Sequence, residues 1–422
     1  MKTKIRRSQL LVIGCFFGFF LFCLVWGLAQ PDRPSSAAEN RSLAQRPAMR
    51  RVVTDFGGFA RDFESYAADQ FPDREQLIGV YTALELAQGK KFARKAYCLQ
   101  DSWLLTKPTP TKPADLSALQ QALAQAGALD RPLVWCVLPL KNEALYDLEP
   151  AYFSDETGET NKQALTAALA QVEGLTVIDA EAPLVTGTLA DREQYFYKTD
   201  FHWNARGAFA AAQEIARQLA GAGTIAEASV PQAEDFLWSE LGGERRYQGD
   251  LNVWFSNQFS MQEDIPRYVP KNAADLRYFL HPGDNESVPR ETIVGSGLDK
   301  DPVTYNDIFT YNLGYYRVEN PAAPEAASVL ILKDSFQNAT IDYLSAIFRS
   351  VTVVDPRSYQ ETPDLASLLD ADGIDLVLFF YHQNNVSREL IDFLSAWAQP
   401  AGTERPRRPK NFCACFFRQL PL

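Results

Sequence analysis

Histidine is nearly missing from this chain, with three residues in 422. Chemistry that needs an imidazole at neutral pH must therefore use His202, His281 or His382. Cysteine is scarce as well. Cys15 and Cys23 lie in an apolar N-terminal run, and Cys98, Cys136, Cys413 and Cys415 remain. Their spacing matches no zinc site and no disulfide framework, so Cys98 and Cys136 are expected to stay unpaired. Cys413-Ala414-Cys415 has no companion cluster of His or Cys. No glycine-rich phosphate loop and no set of metal ligands stands out, so no cofactor and no metal is expected. Positive charge is in deficit, with 41 Lys and Arg against 53 Asp and Glu, a net of −12. Lys2, Lys4, Arg6 and Arg7 sit at the extreme N-terminus, and the rest of the chain carries −16. Such a surface repels nucleic acid and anionic lipid, which excludes nucleic acid as an expected partner. At 46% hydrophobic and 22% charged, the composition is that of a globular protein.

Charge is absent altogether from Leu10 to Leu28, and no acidic residue occurs in the first 30. Nineteen apolar residues at the helical rise span roughly 28 Å, close to a bilayer core. The basic residues ahead of the run place the N-terminus in the cytoplasm and the bulk of the chain outside. Two readings stay open. One is an uncleaved single-pass anchor in the cell membrane, in contact with the lipid bilayer. The other is a signal peptide, with Gly27-Leu28-Ala29 as a small-x-small cleavage site.

Four regions follow from the pattern. Residues 1–30 are a cytoplasmic stub and transmembrane anchor. Residues 31–130 are a linker with Pro31, Pro34 and Pro47, then a helical arm. Residues 131–400 are an α/β domain, and 401–422 are a tail. In the arm, apolar spacing predicts helices over Phe56–Phe71, Arg74–Gln88 and Leu116–Leu129. In the domain, short apolar runs at Leu133–Leu138, Leu175–Ile178, Val329–Leu332, Val351–Val354 and Leu376–Tyr381 read as buried strands. They alternate with helices over Lys162–Val172, Ala205–Leu219, Thr340–Phe348, Leu365–Leu369 and Ser387–Trp397. That alternation predicts a parallel sheet covered by helices on both faces. Residues 225–325, rich in turns, break the alternation and read as an irregular insertion. Its aromatics Trp238, Tyr247, Trp254 and Tyr311 read as core residues or as sugar-stacking surfaces.

Two short segments carry chemistry. Thr199-Asp200-Phe201-His202-Trp203-Asn204 precedes a helix. Leu332-Lys333-Asp334-Ser335-Phe336 follows a strand, at the sheet edge where α/β domains gather their sites. A serine nucleophile needs a base, and the base needs a carboxylate to hold its tautomer. Ser335, His202 and Asp200 supply those three types. Ser335 reads equally as a helix N-cap, and His202 as a packed structural histidine. His382, at the end of the fifth strand, is a rival base. His281 reads as a surface residue.

Glu39-Asn40-Arg41-Ser42-Leu43-Ala44, Phe63-Glu64-Ser65-Tyr66 and Asp69-Gln70-Phe71-Pro72-Asp73-Arg74 resemble the N-terminal pattern of the bacterial DHHW proteins. Tyr197-Lys198-Thr199-Asp200-Phe201-His202-Trp203 with Arg206-Gly207-Ala208 resembles their name-giving motif, with Phe201 in place of its first histidine. The segment is also similar to the Asp-x-His-Trp motif of the alginate O-acetylation proteins AlgX and AlgJ, and Lys333-Asp334-Ser335-Phe336 resembles the serine block of both groups. The resemblance implies an SGNH-hydrolase-like fold in which Asp and His precede the serine. It implies Ser335 as nucleophile, His202 as base and Asp200 as its orienter. Tyr247-Gln248-Gly249-Asp250-Leu251 is similar to a glycine segment of these relatives, which makes Gly249 a candidate oxyanion donor, with Asn312 as the side-chain donor. Lys333 stands where the general SGNH block has glycine. The function implied is transfer of an acyl group, normally acetyl, to a hydroxyl of a cell-envelope or secreted polysaccharide, or to water. A membrane-bound acyl donor protein is the implied partner. The competing expectation is a non-catalytic envelope protein that binds glycan or scaffolds an export or modification complex.

Overall fold

The structure is a computed structural model of the chain. It describes residues 7–36, 41–93, 96–127, 131–149, 156–241, 246–259, 262–297, 299–359, 368–370, 372–383 and 386–397. The tail with Cys413 and Cys415, Glu39 and Asn40 of the N-terminal motif, and most of the helix expected over Leu365–Leu369 lie outside the described residues. The described residues divide into two compact units, one reaching to Lys90 and including Val253–Gln258, the other holding Lys91–Asn252 and the described residues from Phe259 on.

The first unit opens with α1 (Arg7–Ala29). It is the one helix among the described residues long and apolar enough to cross a membrane, with a mean hydropathy of 2.5 over Ser8–Gly27. After a single helical turn at Arg51–Thr54, two longer helices follow, α2 (Phe56–Asp69) and α3 (Arg74–Ala87). Asp55 caps α2 by accepting the Gly58 N–H at 2.9 Å. Both helices match the apolar spacing to within two residues at each end.

The second unit is built on a seven-stranded sheet. Its strands in chain order are β1 (Leu133–Leu138), β2 (Leu175–Asp179), β3 (Arg277–Phe279), β4 (Tyr315–Glu319), β5 (Ser328–Lys333), β6 (Ser350–Val354) and β7 (Leu376–His382). Their order across the sheet is β3-β4-β6-β5-β7-β1-β2. The five strands from β6 to β2 run parallel, and β4 joins β6 antiparallel. The five parallel strands are those the apolar runs predict. In β1, Val134, Cys136 and Leu138 enter one core, while Leu133, Trp135 and Val137 enter the core on the opposite face. A strand buried on both sides cannot show polar alternation, hence the unbroken apolar run.

On the first face lie α6 (Ala205–Gly221) and α7 (Ile341–Ile347). On the second lie α4 (Pro113–Ala126), α5 (Thr157–Leu169) and α8 (Arg388–Trp397). Asn204 caps α6 by accepting the N–H groups of Arg206 at 2.9 Å and Gly207 at 3.3 Å. A Cβ on Gly207 would fall 2.5 Å from the Tyr195 carbonyl oxygen. Only glycine fits there, which explains its place after the Asp-x-His-Trp motif.

The stretch 225–325 is more ordered than its composition suggests. It supplies β3 and β4 to the sheet edge, and pairs Phe236–Leu241 with Ile265–Pro270. Charged Arg317 and Glu319 interrupt the apolar run of β4, which hides the strand in the sequence. A second addition is a small antiparallel sheet of Phe92–Ala93, Ala96–Cys98 and Leu104–Thr106. Cys98 and Cys136 are both free.

Candidate active site

Ser335 and Asp334 follow directly on β5, and His382 is the last residue of β7, so the carboxyl edge of the sheet presents all three. Asp334 fixes the turn that carries the serine. Its Oδ1 accepts the Phe336 N–H at 3.0 Å, its Oδ2 accepts the His382 N–H at 3.0 Å, and its own N–H donates to the Phe380 carbonyl at 3.1 Å. A 3₁₀ turn over Ser335–Thr340 results, with Ser335 half-exposed among buried neighbours.

Asp200 and His202 arrive from the loop between β2 and α6. A bridge between Phe196 and Trp203 closes that loop at its base. Asp200 Oδ1 accepts the His202 N–H at 3.1 Å and lies 2.8 Å from His202 Nδ1. His202 Nε2 lies 2.7 Å from Ser335 Oγ. Nδ1–H donates to the carboxylate, which leaves Nε2 as acceptor for the serine hydroxyl, the tautomer a general base requires. The structure thus brings Asp200, His202 and Ser335 into one hydrogen-bonded chain.

Asp200 is fully buried and its carboxylate takes four donors. Oδ2 accepts the Tyr247 hydroxyl at 2.8 Å and the Asp250 N–H at 3.2 Å. Burial opposes the charged form, but the pull of His202 and the hydrogen bonds from His202 and Tyr247 outweigh it. The carboxyl is held below its ordinary value. Burial and Asp200 push the Tyr247 phenol far up, so it stays a donor. Tyr247 stacks on Tyr197 at 4.0 Å and is buried, which removes it from the sugar-stacking candidates. Trp238 is 41% exposed.

The imidazole of His202 is fixed by its neighbours. Phe201 lies 4.0 Å from it, Tyr305 stacks on it at 4.0 Å, and Phe336 is tilted at 5.1 Å. Phe201 therefore packs the His202 ring instead of adding a second imidazole. Trp203 Nε1 donates to the Phe336 carbonyl at 3.0 Å and ties the base loop to the serine turn.

Beneath the loop lies Lys141, three residues past β1 and buried. Its three N–H bonds reach the carbonyls of Leu104 at 2.8 Å, Lys198 at 2.9 Å and Asp200 at 2.8 Å. Burial lowers the ammonium to about 7 against the pull of Glu263 and Asp200. Glu263 accepts the N–H groups of Lys198 and Thr199 and the Thr199 hydroxyl. The sequence points to neither residue, because a lone lysine after a strand and a lone glutamate in a turn-rich stretch carry no motif.

Gly249 is set against the backbone of the same loop. A Cβ there would lie 2.2 Å from the Thr199 carbonyl and 2.5 Å from the Asp200 nitrogen. Asn312 is exposed, and its Oδ1 accepts Asn338 Nδ2 at 2.9 Å. Lys333 is buried, donates to Asn338 Oδ1, and faces Asp355 at 3.7 Å. Burial lowers it to about 8. Where the general block has glycine, a buried ion pair thus supports the turn from behind.

His382 packs edge-on to Phe336 at 4.9 Å, with Nε2 3.9 Å from Asp334 Oδ2. Burial and the nearby His202 hold its pKa below the ordinary value. His281 is exposed. Asp200, His202 and Asp250 have ligand atoms within 4.8 Å of one another. The oxygens of Asp200 already accept four donors, so this is a poor cradle for a metal ion.

The family model "SGNH hydrolase-like domain, acetyltransferase AlgX" matches residues 99–276. The domain is SGNH hydrolase-like. The match takes in Asp200, His202 and Gly249 and stops short of Ser335, whose place follows from the fold. The chain is 24% identical over 285 residues to "Probable alginate O-acetylase AlgJ" of Pseudomonas syringae pv. tomato, covering 62% of this chain and 66% of that protein. The chain thus spans slightly under two thirds of this relative. Among solved structures, Bacillus cereus PatB1 with a sulfonyl adduct superposes with a TM-score of 0.60 at 22% identity, over 72% of this chain and 99% of PatB1. A DHHW family protein from Eubacterium siraeum superposes with a TM-score of 0.53 at 17% identity, over 71% of this chain and 93% of the other. These likenesses establish the SGNH hydrolase-like fold.

Proposed function

We propose that the chain is a membrane-anchored, extracytoplasmic serine O-acyltransferase or esterase. Its acceptor is a hydroxyl of a cell-envelope or secreted polysaccharide, or water. The observation that supports this reading is the chain Ser335–His202–Asp200, with its two hydrogen bonds of 2.7 and 2.8 Å. The likeness to an alginate O-acetylase and to an AlgX-type acetyltransferase domain supports an acetyl group and a glycan acceptor.

In this reading His202 Nε2 takes the Ser335 proton as Oγ attacks the acyl carbonyl, and Asp200 stabilises the imidazolium that forms. The proton passes to the leaving group, which departs and leaves an acyl-serine. An acceptor hydroxyl, deprotonated by the same nitrogen, then attacks the acyl carbon, the bond to Oγ breaks, and His202 returns the proton to Ser335. The Gly249 N–H and the Asn312 carboxamide are assigned to the oxyanion. Asn338 already occupies Asn312 Oδ1, so Nδ2 is the end left to donate. The acyl donor is a membrane-bound protein, as the family resemblance implies. α1 is a retained anchor, with residues 1–8 cytoplasmic.

The test is turnover of an activated acetyl ester by the purified full chain, with intact-mass detection of acetyl on Ser335. Acetylation absent from an active wild type, or present in Ser335→Ala, refutes the assignment. No turnover with any acyl ester leaves a glycan-binding or scaffolding protein as the better account.

A further inference from the structure

Helix α3 carries its apolar face outward. Leu77, Val80, Tyr81 and Leu84 fall at i, i+3, i+4 and i+7, on one side of the helix. They are 51, 61, 60 and 56% exposed. The opposite side, with Glu75, Gly79, Thr82 and Leu86, is buried or half-buried. A Cβ on Gly79 would lie 3.8 Å from Gln258 Nε2. Thr82 is buried, with Oγ1 3.4 Å from Ser256 Oγ. The helix therefore packs through that side and leaves the stripe of Leu77, Val80, Tyr81 and Leu84 uncovered. A single exposed leucine is ordinary, but a row of four on one helix face marks an interaction surface.

The start of the helix indicates what covers the stripe. The last turn of α1 rests on the segment just before α3, where a Cβ on Gly27 would lie 3.5 Å from Pro72 Cδ and 3.6 Å from the Gln70 carbonyl. The chain leaving α1 is fastened to the same place. The Arg33 N–H donates to Gln70 Oε1 at 3.0 Å, and Gln70 Nε2 donates back to the Arg33 carbonyl at 2.9 Å. Arg33 Nη2 donates to the Asp69 carbonyl at 2.9 Å, and the Ser36 hydroxyl to Glu75 Oε1 at 2.7 Å. α3 thus begins beside the end of the apolar helix, and a retained α1 would set that end at the boundary between lipid and water.

Charge agrees with that position. Residues 31–90 carry eight basic and nine acidic side chains, a net of −1, whereas residues 91–422 carry −15. Repulsion from anionic headgroups falls on the rest of the chain and spares this unit. Tyr81 adds a ring to the stripe and a hydroxyl that donates to Glu85 at 2.7 Å, a pairing suited to a lipid–water boundary.

We propose that α3 is an interfacial helix whose stripe of Leu77, Val80, Tyr81 and Leu84 lies in the headgroup layer of the bilayer that α1 crosses. The occupant of the stripe is lipid. The proposal takes from the functional reading only that α1 is retained. One span leaves the unit after it free to swivel, and a second apolar contact at the exit removes that freedom.

The test places photoreactive p-benzoylphenylalanine at Val80 of the full chain, with exposed Glu64 as the control position. The chain is illuminated in liposomes of phosphatidylethanolamine and phosphatidylglycerol, and in native membranes. The expected result is a phospholipid adduct on the peptide holding position 80 and none at position 64. A protein adduct at position 80 in native membranes, or no adduct there in liposomes, overturns the proposal. Intact mass reports separately whether residues 1–29 are present. A chain that lacks them and still gives the lipid adduct keeps the helix on the membrane and removes only the anchor.

Discussion

The two halves of the site are built in opposite ways. The serine turn grows out of the sheet: Asp334 and Ser335 follow β5, and the backbones of Phe380 and His382 in the neighbouring β7 hold Asp334. The loop that carries Asp200 and His202 does not continue a strand of the seven-stranded sheet. It is held by side chains and backbone from distant segments, among them Lys141, Tyr247, Gly249, Glu263 and Tyr305. Damage to the sheet should therefore unfold the surroundings of Ser335, whereas damage around the loop should misplace His202 in a folded domain.

The largest effects test whether the halves act as a unit. Ser335→Ala and His202→Ala should each lower turnover of an activated acetyl ester by at least about a thousandfold. The double variant should be little worse than either, and Asp200→Ala should be the mildest of the three. If two single losses multiply in the double variant, the residues do not share one step.

Next comes the support of the loop. Gly249→Ala forces a methyl into the Thr199 and Asp200 backbone and should cost about a hundredfold in turnover, with a folded circular dichroism spectrum. Wild-type turnover would show that the loop tolerates displacement and that its external support is not needed. Lys141→Met should lower stability by about 2–4 kcal/mol, because three buried carbonyls lose a charged donor. Urea denaturation measures this, and an unchanged midpoint would contradict the stapling role.

The smallest expected effect separates the two histidines on Phe336. His382→Asn should leave turnover close to wild type, where His202→Ala abolishes it. His382 has a folded-state pKa below its ordinary value, so the unfolded chain binds its proton more readily. Its contribution to stability is complete above about pH 6.5 and is lost as the pH falls from there. Denaturation midpoints for His382→Asn should fall less on acidification than those of wild type. Loss of activity in this variant would make His382 the base.

The parallel strands were legible because burial on both faces leaves unbroken apolar runs. The Asp-x-His-Trp and Asp-Ser segments were legible because their residue types are rare and their order is distinctive. The support was not. β4, Tyr-Tyr-Arg-Val-Glu, is only five residues long and carries two charges, so a turn-rich stretch conceals it. Lys141 and Glu263 act on backbone groups, and a backbone partner leaves no mark in sequence. Tyr247 came nearest to being found, since it opens the glycine segment, but an aromatic there reads equally well as core.

One tie has a consequence in time. The Trp203 indole reaches the Phe336 carbonyl across 133 residues, and His382, later still, completes the grip on Asp334. A chain made from its N-terminus holds the His202 loop long before it holds Ser335. The proposed triad is complete only once the last strand has been delivered, so the unfinished chain lacks the site on which the proposed chemistry rests.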